Sequence, residues 1–355
     1  MSEIVSKQRN LVADFLKGIM IFCVLYGHSI SMINGLRGVI WQDSIVNVFV
    51  TTFEMPLFIL ISGYFLWFSL KKKPHFQVLW KRAVSIVLPL LVWEGIPGVY
   101  NLVANAGFSK SSVVQFVMRL AFPGLWFLGC YLFCTVLVIL VEWALSKIQN
   151  KKANLVVGII LYAALIIGLH CIRNNFNNVA FMFPFFLVGF VLSKYGLLNK
   201  KGMRNVILGF AVLFVVLYPF YRPEHSFYMQ SAFLLEDTAA RIPVLLYRFI
   251  LGLAGCSLFY VMADLLCKKA ENSKVVLLTV KLGTKTMELY ILSMFIQNYL
   301  VKVAKILIRD TAWITDVTAP LVFGPLFCIA LTAICLLINY FVEKVPKLHK
   351  VMFGR

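Results

Sequence analysis

Charged residues are scarce in this sequence, and acidic residues are the scarcest of them. Of its 355 residues only 14% are charged, whereas soluble domains average about 25%. Hydrophobic residues make up 61% of the chain, and the mean hydropathy is +0.86. This composition excludes a mainly soluble protein and predicts a polytopic membrane protein. The net charge of +19 sits in short loops between apolar runs, so we interpret it as a topology signal and predict no nucleic-acid partner.

The common signatures of nucleotide, metal and hydrolase sites are also absent. The sequence has no GxGxxG, Walker loop, HExxH or GxSxG pattern. Its eight cysteines form no CxxC pair, and its five histidines are scattered over different segments. We therefore expect neither a disulfide framework nor a metal cofactor. The first apolar segment lacks a small-residue cleavage site, so we expect it to stay as a membrane helix.

Apolar segments of about the 20 residues that a spanning helix needs recur along the whole chain. We predict an all-α polytopic bundle of about ten transmembrane helices, forming a single membrane domain over residues 1–355 with no separate soluble domain. The predicted spans are 11–33, 46–70, 83–104, 125–146, 154–172, 179–195, 204–221, 242–267, 285–307 and 319–342. Two amphipathic pieces are predicted outside them, 109–122 at the outer interface and 273–283 on the cytoplasmic side.

Lysine and arginine are concentrated in alternate connections. They precede the first segment and follow the second, fourth, sixth, eighth and tenth. The other connections hold far fewer, apart from a group at Lys302, Lys305 and Arg309. Since cationic loops favour the cytoplasm, the pattern predicts that both termini are cytoplasmic.

The first segment carries Asp14, Lys17 and His28 within an otherwise apolar run. Lys17 and His28 are eleven residues apart, which places them within roughly 20° on one helix face and about 16 Å apart along the axis. Ionisable groups inside a membrane are costly and usually face a bundle interior or a cavity. The alternative interpretation is structural, with Lys17 snorkelling to headgroups and His28 bonding a neighbouring helix.

Further charges accompany the later segments. Glu54 precedes Pro56, and the proline predicts a kink. Glu54 is expected at a membrane depth comparable to that of His28, which would permit a His–carboxylate pair. The alternative is that Glu54 reaches water at the outer interface. The loop from Lys71 to Arg82 holds five cations, explained either by the positive-inside rule or by a phosphorylated ligand that Arg82 binds bidentately. Arg248 is deeply placed and is expected to have a carboxylate or ligand partner.

The first segment resembles the signature of the acyltransferase-3 family of bacterial integral membrane acyltransferases. That signature is a basic residue, ten further residues and then His, usually preceded by Asp, and here it is Asp14, Lys17 and His28. Four later stretches, in the same order, are similar to the family's other motifs: residues 55–64 (MPLFILISGY), Lys81-Arg82 with Leu88-Pro89, residues 125–128 (LWFL), and residues 282–286 (LGTKT) with 289–292 (LYIL).

The chain departs from the family's usual residues at four positions. Lys17 stands where Arg is common, and Ser85 where a second Arg is common. Glu54 and Ser293 each replace a frequent His.

The resemblance implies transfer of an acetyl or other short acyl group from cytoplasmic acyl-CoA. For an acetyl group the donor would be acetyl-CoA. The implied acceptor is a hydroxyl of a surface polysaccharide, a lipid-linked glycan or a peptidoglycan sugar. It implies a multi-pass protein of the bacterial inner membrane, in contact with membrane lipids. A polysaccharide or small-molecule exporter is the alternative function, because an intramembrane His and a polar cavity suit transport too. A sensor or scaffolding protein is a third.

The family's chemistry gives each polar residue an expected role. His28 is the expected general base, because imidazole has a suitable pKa for taking a hydroxyl proton. Lys17 is expected to hold CoA or orient the surroundings of His28, with Asp14 positioning Lys17. Glu54 is expected to orient His28 or the acceptor, and Arg248 to stabilise the oxyanion or bind substrate. The expected contacts to the CoA phosphates are Arg82, Lys81 and Lys73.

Overall fold

The computed structural model of the protein describes residues 10–37, 45–106, 109–121, 124–172, 177–222, 225, 238–307 and 313–354. Within these ranges all regular elements are helical, which confirms the predicted all-α class. The α-helices in chain order are α1 Leu11–Arg37, α2 Ile45–Thr51, α3 Glu54–Leu70, α4 His75–Leu90, α5 Ile96–Asn101, α6 Lys110–Ala121, α7 Trp126–Leu145, α8 Lys151–Cys171, α9 Asn177–Lys194, α10 Met203–Leu217, α11 Thr238–Lys269, α12 Lys274–Thr284, α13 Thr286–Leu307, α14 Gly324–Glu343 and α15 Pro346–Phe353.

Nine helices in the described ranges are long and apolar enough to cross a membrane, and the protein is a multi-pass membrane protein. These candidate spans are Leu11–Leu36, Val46–Leu70, His75–Ala104, Trp126–Leu145, Lys151–Cys171, Asn177–Lys194, Met203–Phe220, Arg241–Lys269 and Ala319–Glu343. They correspond to nine of the ten predicted segments. The remaining one, 285–307, is the 22-residue helix α13, which carries Glu288 in its first turn and Lys302 and Lys305 towards its end.

The chain divides into two compact units, each assembled from separate stretches of sequence. Unit 1 comprises Met1–Phe58, Lys201–Pro223 and Leu251–Ile338. Unit 2 comprises Ile59–Lys200, Glu224–Ile250 and Asn339–Arg355. The single membrane domain expected over residues 1–355 stays a prediction.

In unit 1, α1 packs closely against α12 and α13. A Cβ atom added to Gly18 of α1 would lie 1.9 Å from the backbone oxygen of Thr279, and one added to Gly283 would lie 1.8 Å from that of Asp14. The two helices therefore touch through their backbones, which only residues without a Cβ allow. Helix α12 itself begins with an N-cap, since Ser273 Oγ accepts a hydrogen bond from the Val276 amide. It matches the amphipathic piece predicted at 273–283.

The second predicted span is interrupted within unit 1, at Thr52 and Phe53 between α2 and α3. Pro56 explains the position of this break, because a proline ring clashes with the carbonyl four residues earlier, here that of Thr52, and offers it no N–H. Phe53 is completely buried and stacks on Phe259, with ring centroids 3.9 Å apart. The break thus fixes where Glu54 begins α3.

In unit 2, α7, α8 and α9 pack together around a polar network. The carboxylate of Glu142 accepts hydrogen bonds from Lys194 Nζ at 2.7 and 2.9 Å and from the Tyr162 hydroxyl at 2.9 Å. Glycines make the second close crossing, since a Cβ on Gly63 or Gly189 would lie within 2.0 Å of a backbone oxygen of the opposing helix, α9 or α3. The buried charge of Glu142 is thus part of the packing.

The end of the described chain also packs within unit 2. Helix α15 lies against α4 and against the helical turn Leu91–Gly95 that follows it. In that turn, Trp93 Nε1 donates a hydrogen bond to the Met352 carbonyl at 2.8 Å, and the Trp93 ring stacks on the buried ring of Phe353. Gly354 follows with a left-handed φ of 72°, against the backbone of Ser85. Earlier in the chain, another buried acid lies at the start of α7, where Glu94 accepts a hydrogen bond from the amide of the N-cap residue Leu125 at 3.2 Å.

Candidate functional site

Helix α1 carries three of the predicted site residues. Asn10 caps the helix, since its Oδ1 accepts a hydrogen bond from the Ala13 amide at 3.0 Å. Lys17 Nζ lies 2.6 Å from Asp14 Oδ1, the arrangement that residues three apart on a helix allow. Asp14 is buried and Lys17 half-buried. The Asp14 carboxylate therefore binds the Lys17 ammonium, which is only partly shielded from solvent.

His28 lies on α1, eleven residues beyond Lys17, and is half-buried. Its Nδ1 is 3.3 Å from Oγ of Ser293 on α13. Ser293 Oγ also donates a hydrogen bond to the Tyr290 carbonyl at 2.9 Å. His28 Nε2 makes no hydrogen bond to any residue that the structure describes. Among the described residues, the imidazole thus has a partner at Nδ1 and none at Nε2.

Glu54 is the first residue of α3 and is 5% exposed. Its Oε2 is buried and makes no hydrogen bond within the described ranges. Its carboxyl group lies near the thiol of Cys23 on α1. The expected pair of Glu54 with His28 is not formed here, because the described partner of the imidazole is Ser293. A buried carboxyl oxygen without a hydrogen-bond partner among the described residues is costly and is typical of a functional group.

A second buried polar residue lies near His28. It is Asn47 of α2, with 2% of its surface exposed. Its Oδ1 lies 3.8 Å from where a Cβ on Gly27 would stand. Asn47 therefore faces α1 beside His28, within unit 1. Sequence reasoning did not single it out.

Arg82 of α4 is held by two hydroxyl groups in unit 2. Its Nη2 donates to Ser69 Oγ at 3.2 Å and its Nη1 donates to the Tyr131 hydroxyl. No carboxylate of the described residues pairs with it. Because guanidinium has five N–H donors, three stay available to an anion. Lys81 and Lys73 are exposed.

Arg248 of α11 is deeply buried, as the sequence predicted, with only 3% of its surface exposed. Its guanidinium carbon lies 4.7 Å from the centroid of the Phe181 ring. The charge also acts on His170 of α8. An aromatic face is therefore one of its partners, where the sequence predicted a carboxylate or a ligand.

The predicted site residues fall into two groups by unit. Unit 1 holds Asp14, Lys17, His28 and Glu54, and unit 2 holds Lys73, Lys81, Arg82 and Arg248. Sequence reasoning gave no role to the residues that contact these side chains. Ser293 was visible only as a departure from the family's usual histidine, and no local pattern distinguishes Ser69 or Tyr131 from their neighbours. Over the ranges described, no group of three or more His, Cys, Asp or Glu residues could hold a metal ion.

Comparisons with known proteins agree with the resemblance seen in the sequence. Residues 10–340 match the model of acyltransferase family 3, described as an acyltransferase domain. Nodulation protein NolL of Mesorhizobium japonicum is 26% identical over 215 residues, covering 60% of this chain and 54% of that protein. Nodulation protein NolL of Sinorhizobium fredii is 26% identical over 193 residues, covering 53% and 50%.

The matched part of the chain thus spans about half the length of these two relatives. No solved structure matches the chain.

Proposed function

The chain belongs to the acyltransferase-3 family, and from this premise we propose that it moves an acetyl or other short acyl group from cytoplasmic acyl-CoA to a carbohydrate hydroxyl. The acceptor is a surface polysaccharide or a lipid-linked glycan. The observation that carries the proposal is the half-buried His28, whose Nε2 has no partner among the described residues. Acyl transfer to a hydroxyl requires a base at this kind of position.

The proposed reaction needs one proton to move in each direction. His28 Nε2 takes the proton of the acceptor hydroxyl while the oxygen attacks the thioester carbonyl. The tetrahedral intermediate collapses, the C–S bond breaks, and the CoA thiolate takes the proton back from the imidazolium. The acyl group ends on the sugar oxygen and the base is regenerated. This route requires no covalent acyl-enzyme.

The contacts of Arg82 support the proposal that it binds the phosphates of acyl-CoA. Its two hydroxyl partners orient the guanidinium without neutralising its charge, and Lys81 and Lys73 add cations at exposed positions. Charge-assisted bonds to phosphate are about twice as strong as neutral ones. We assign Arg82 as the main phosphate contact and the two lysines as supporting ones.

The remaining residues receive narrower roles. Asp14 holds Lys17, and Lys17 provides positive charge on the His28 face of α1 for the acyl donor. Glu54, whose Oε2 lacks a described partner, accepts a hydrogen bond from an acceptor hydroxyl. Arg248 binds substrate or stabilises the oxyanion.

The proposed setting is the bacterial inner membrane, with both termini in the cytoplasm. The alternation of cationic and cation-poor connections supports this orientation. Acyl-CoA then meets the loops that carry the most lysine and arginine.

The test is release of free CoA from acetyl-CoA by the purified chain in lipid nanodiscs, with and without crude surface glycan. We expect acceptor-dependent release, and a fall of about 100-fold or more with His28→Gln, because general bases contribute roughly 10²–10⁴-fold. Gln keeps the approximate size and polarity of His but cannot take the proton.

The matched control is His170→Gln, a second intramembrane histidine, which lies in unit 2 and has its Nδ1 2.8 Å from the Ile166 carbonyl. It should retain most of the activity. Full activity in His28→Gln would refute the assigned base. If the wild type binds no acetyl-CoA and releases no CoA, the enzyme proposal fails and transport becomes the better hypothesis.

A further inference from the structure

The proton of the Ser293 hydroxyl is already committed. A serine hydroxyl has one proton to donate and two lone pairs to accept with. The Tyr290 carbonyl can only accept, and at 2.9 Å it is nearer to Ser293 Oγ than His28 Nδ1 is at 3.3 Å, so we assign the hydroxyl proton to the carbonyl. At its second contact, 3.3 Å from His28 Nδ1, Ser293 Oγ must therefore accept.

This commitment determines which nitrogen of His28 carries the proton. A neutral imidazole has one N–H and one lone pair, and the bond at one nitrogen sets the state of the other. Because Ser293 Oγ accepts, Nδ1 is the protonated nitrogen. Nε2 then presents its lone pair, and it is the nitrogen with no described protein partner.

The surroundings of Ser293 make this arrangement rigid. Ser293 is fully buried, with an exposed fraction of 0%, on a helix that packs against α1. Water therefore cannot readily replace the hydroxyl as the partner of Nδ1. The Tyr290 carbonyl, which accepts the hydrogen bond of Ser293, belongs to the same helical turn of α13, so donor and acceptor move together.

We infer that Ser293 is a positioning residue that holds His28 in the Nδ1–H tautomer, leaving Nε2 as the base. The catalytic consequence rests on the proposed acyltransferase function, whereas the tautomer itself does not. A wrong tautomer would aim an N–H, and no lone pair, at the acceptor hydroxyl. The serine thus serves here, at a position where the family often has histidine, as a one-way hydrogen-bond acceptor.

The test combines a spectroscopic and a kinetic measurement on the full chain in nanodiscs. With ¹⁵N-labelled histidine, the signals of His28 are identified by their loss in His28→Gln. We expect a protonated Nδ1 and an unprotonated Nε2 in the wild type, and loss of this single state in Ser293→Ala. We expect kcat for acyl transfer to fall about tenfold in Ser293→Ala with KM for acyl-CoA nearly unchanged.

Two variants separate positioning from packing. Ser293→Thr keeps the hydroxyl and should restore the Nδ1–H tautomer. Ser29→Ala removes a buried hydroxyl of α1 whose one partner among the described residues is the Leu25 carbonyl. It should change neither the tautomer nor kcat. An Nε2–H signal in the wild type, or an unchanged tautomer in Ser293→Ala, would overturn the inference. An Nδ1–H tautomer in a protein that transfers no acyl group would uphold it and reject the proposed function.

Discussion

Two buried glutamates show how neighbours decide the role of the same side chain. Glu142 is surrounded by the ammonium of Lys194 and the hydroxyl of Tyr162. Its charge is compensated, and removing one partner of such a buried pair costs about 3–5 kcal/mol. Glu54 is as deeply buried, yet its Oε2 has no partner in the described part of the chain. The first glutamate stabilises the helix packing, and the second is the one that we propose as a substrate contact.

Arg82 also has no carboxylate partner among the described residues, since its hydrogen bonds go to two hydroxyl groups. We expect Arg82→Lys to raise KM for acetyl-CoA about tenfold while kcat stays within about twofold, because lysine keeps the charge but loses the planar group that binds phosphate bidentately. Steady-state kinetics in nanodiscs checks this.

Two further variants delimit the role of Arg82. Tyr131→Phe removes one orienting hydroxyl and should raise KM less than Arg82→Lys does. Arg204→Lys, an exposed arginine at the start of α10, should leave KM unchanged. An unaltered KM in Arg82→Lys would exclude Arg82 from the donor site.

At the scale of elements, glycines decide where helices touch. Gly18 and Gly283 bring α1 and α12 into backbone contact beside Asp14, and Gly63 and Gly189 do the same for α3 and α9. Small residues allow this approach in membrane helices, where packing replaces the hydrophobic driving force. Two of these glycines lie in motifs that resemble the family's, residues 55–64 and 282–286. Their role in packing is sufficient reason for a glycine there.

A substitution at one helix crossing tests whether glycine is needed for the close packing. We expect Gly283→Ala to lower stability by about 1–3 kcal/mol, the usual effect of overpacking. The added Cβ would meet the backbone oxygen of Asp14 at 1.8 Å, which no side-chain rotation can relieve. Thermal unfolding in nanodiscs measures the shift.

The matched control is Gly209→Ala in α10, where a Cβ would meet no atom within 4 Å. It should be neutral or slightly stabilising, because alanine favours helix more than glycine does. Equal melting temperatures for the two variants would contradict the close backbone contact of α1 and α12 at Gly283.

At the scale of the whole molecule, orientation in the membrane is set by charge and not by packing. Lysines and arginines mark alternate connections, and the predicted alternation places the end of α8 on the outer side. Cys171 lies at that end and is the only exposed cysteine of the eight, all of which are within the described ranges. It can therefore report the topology without an introduced label site.

We expect a membrane-impermeant maleimide to label intact spheroplasts at Cys171, and Cys171→Ser to abolish the signal. Mass spectrometry of the labelled peptide locates the modification. A reagent that labels Cys171 only after the membrane is permeabilised would reverse the assigned orientation and place the termini outside.

The sequence by itself determined the helical class, the membrane character, the approximate spans and the family. Each depends on local properties, namely hydropathy over about 20 residues, charge in the connections and short motifs. The contact of Asp14 with Lys17, expected from the family's chemistry, is likewise local, because both residues lie within one helical turn.

Only the tertiary structure decided which side chains meet between helices. Ser293 is 265 residues from His28, and no local pattern connects them. The same holds for Tyr131 at Arg82 and Phe181 at Arg248. A periodic pattern fixes the face that a side chain occupies on its own helix, whereas its partner depends on how other helices pack against that face. That is why the candidate base was visible in the sequence and the residue that orients it was not.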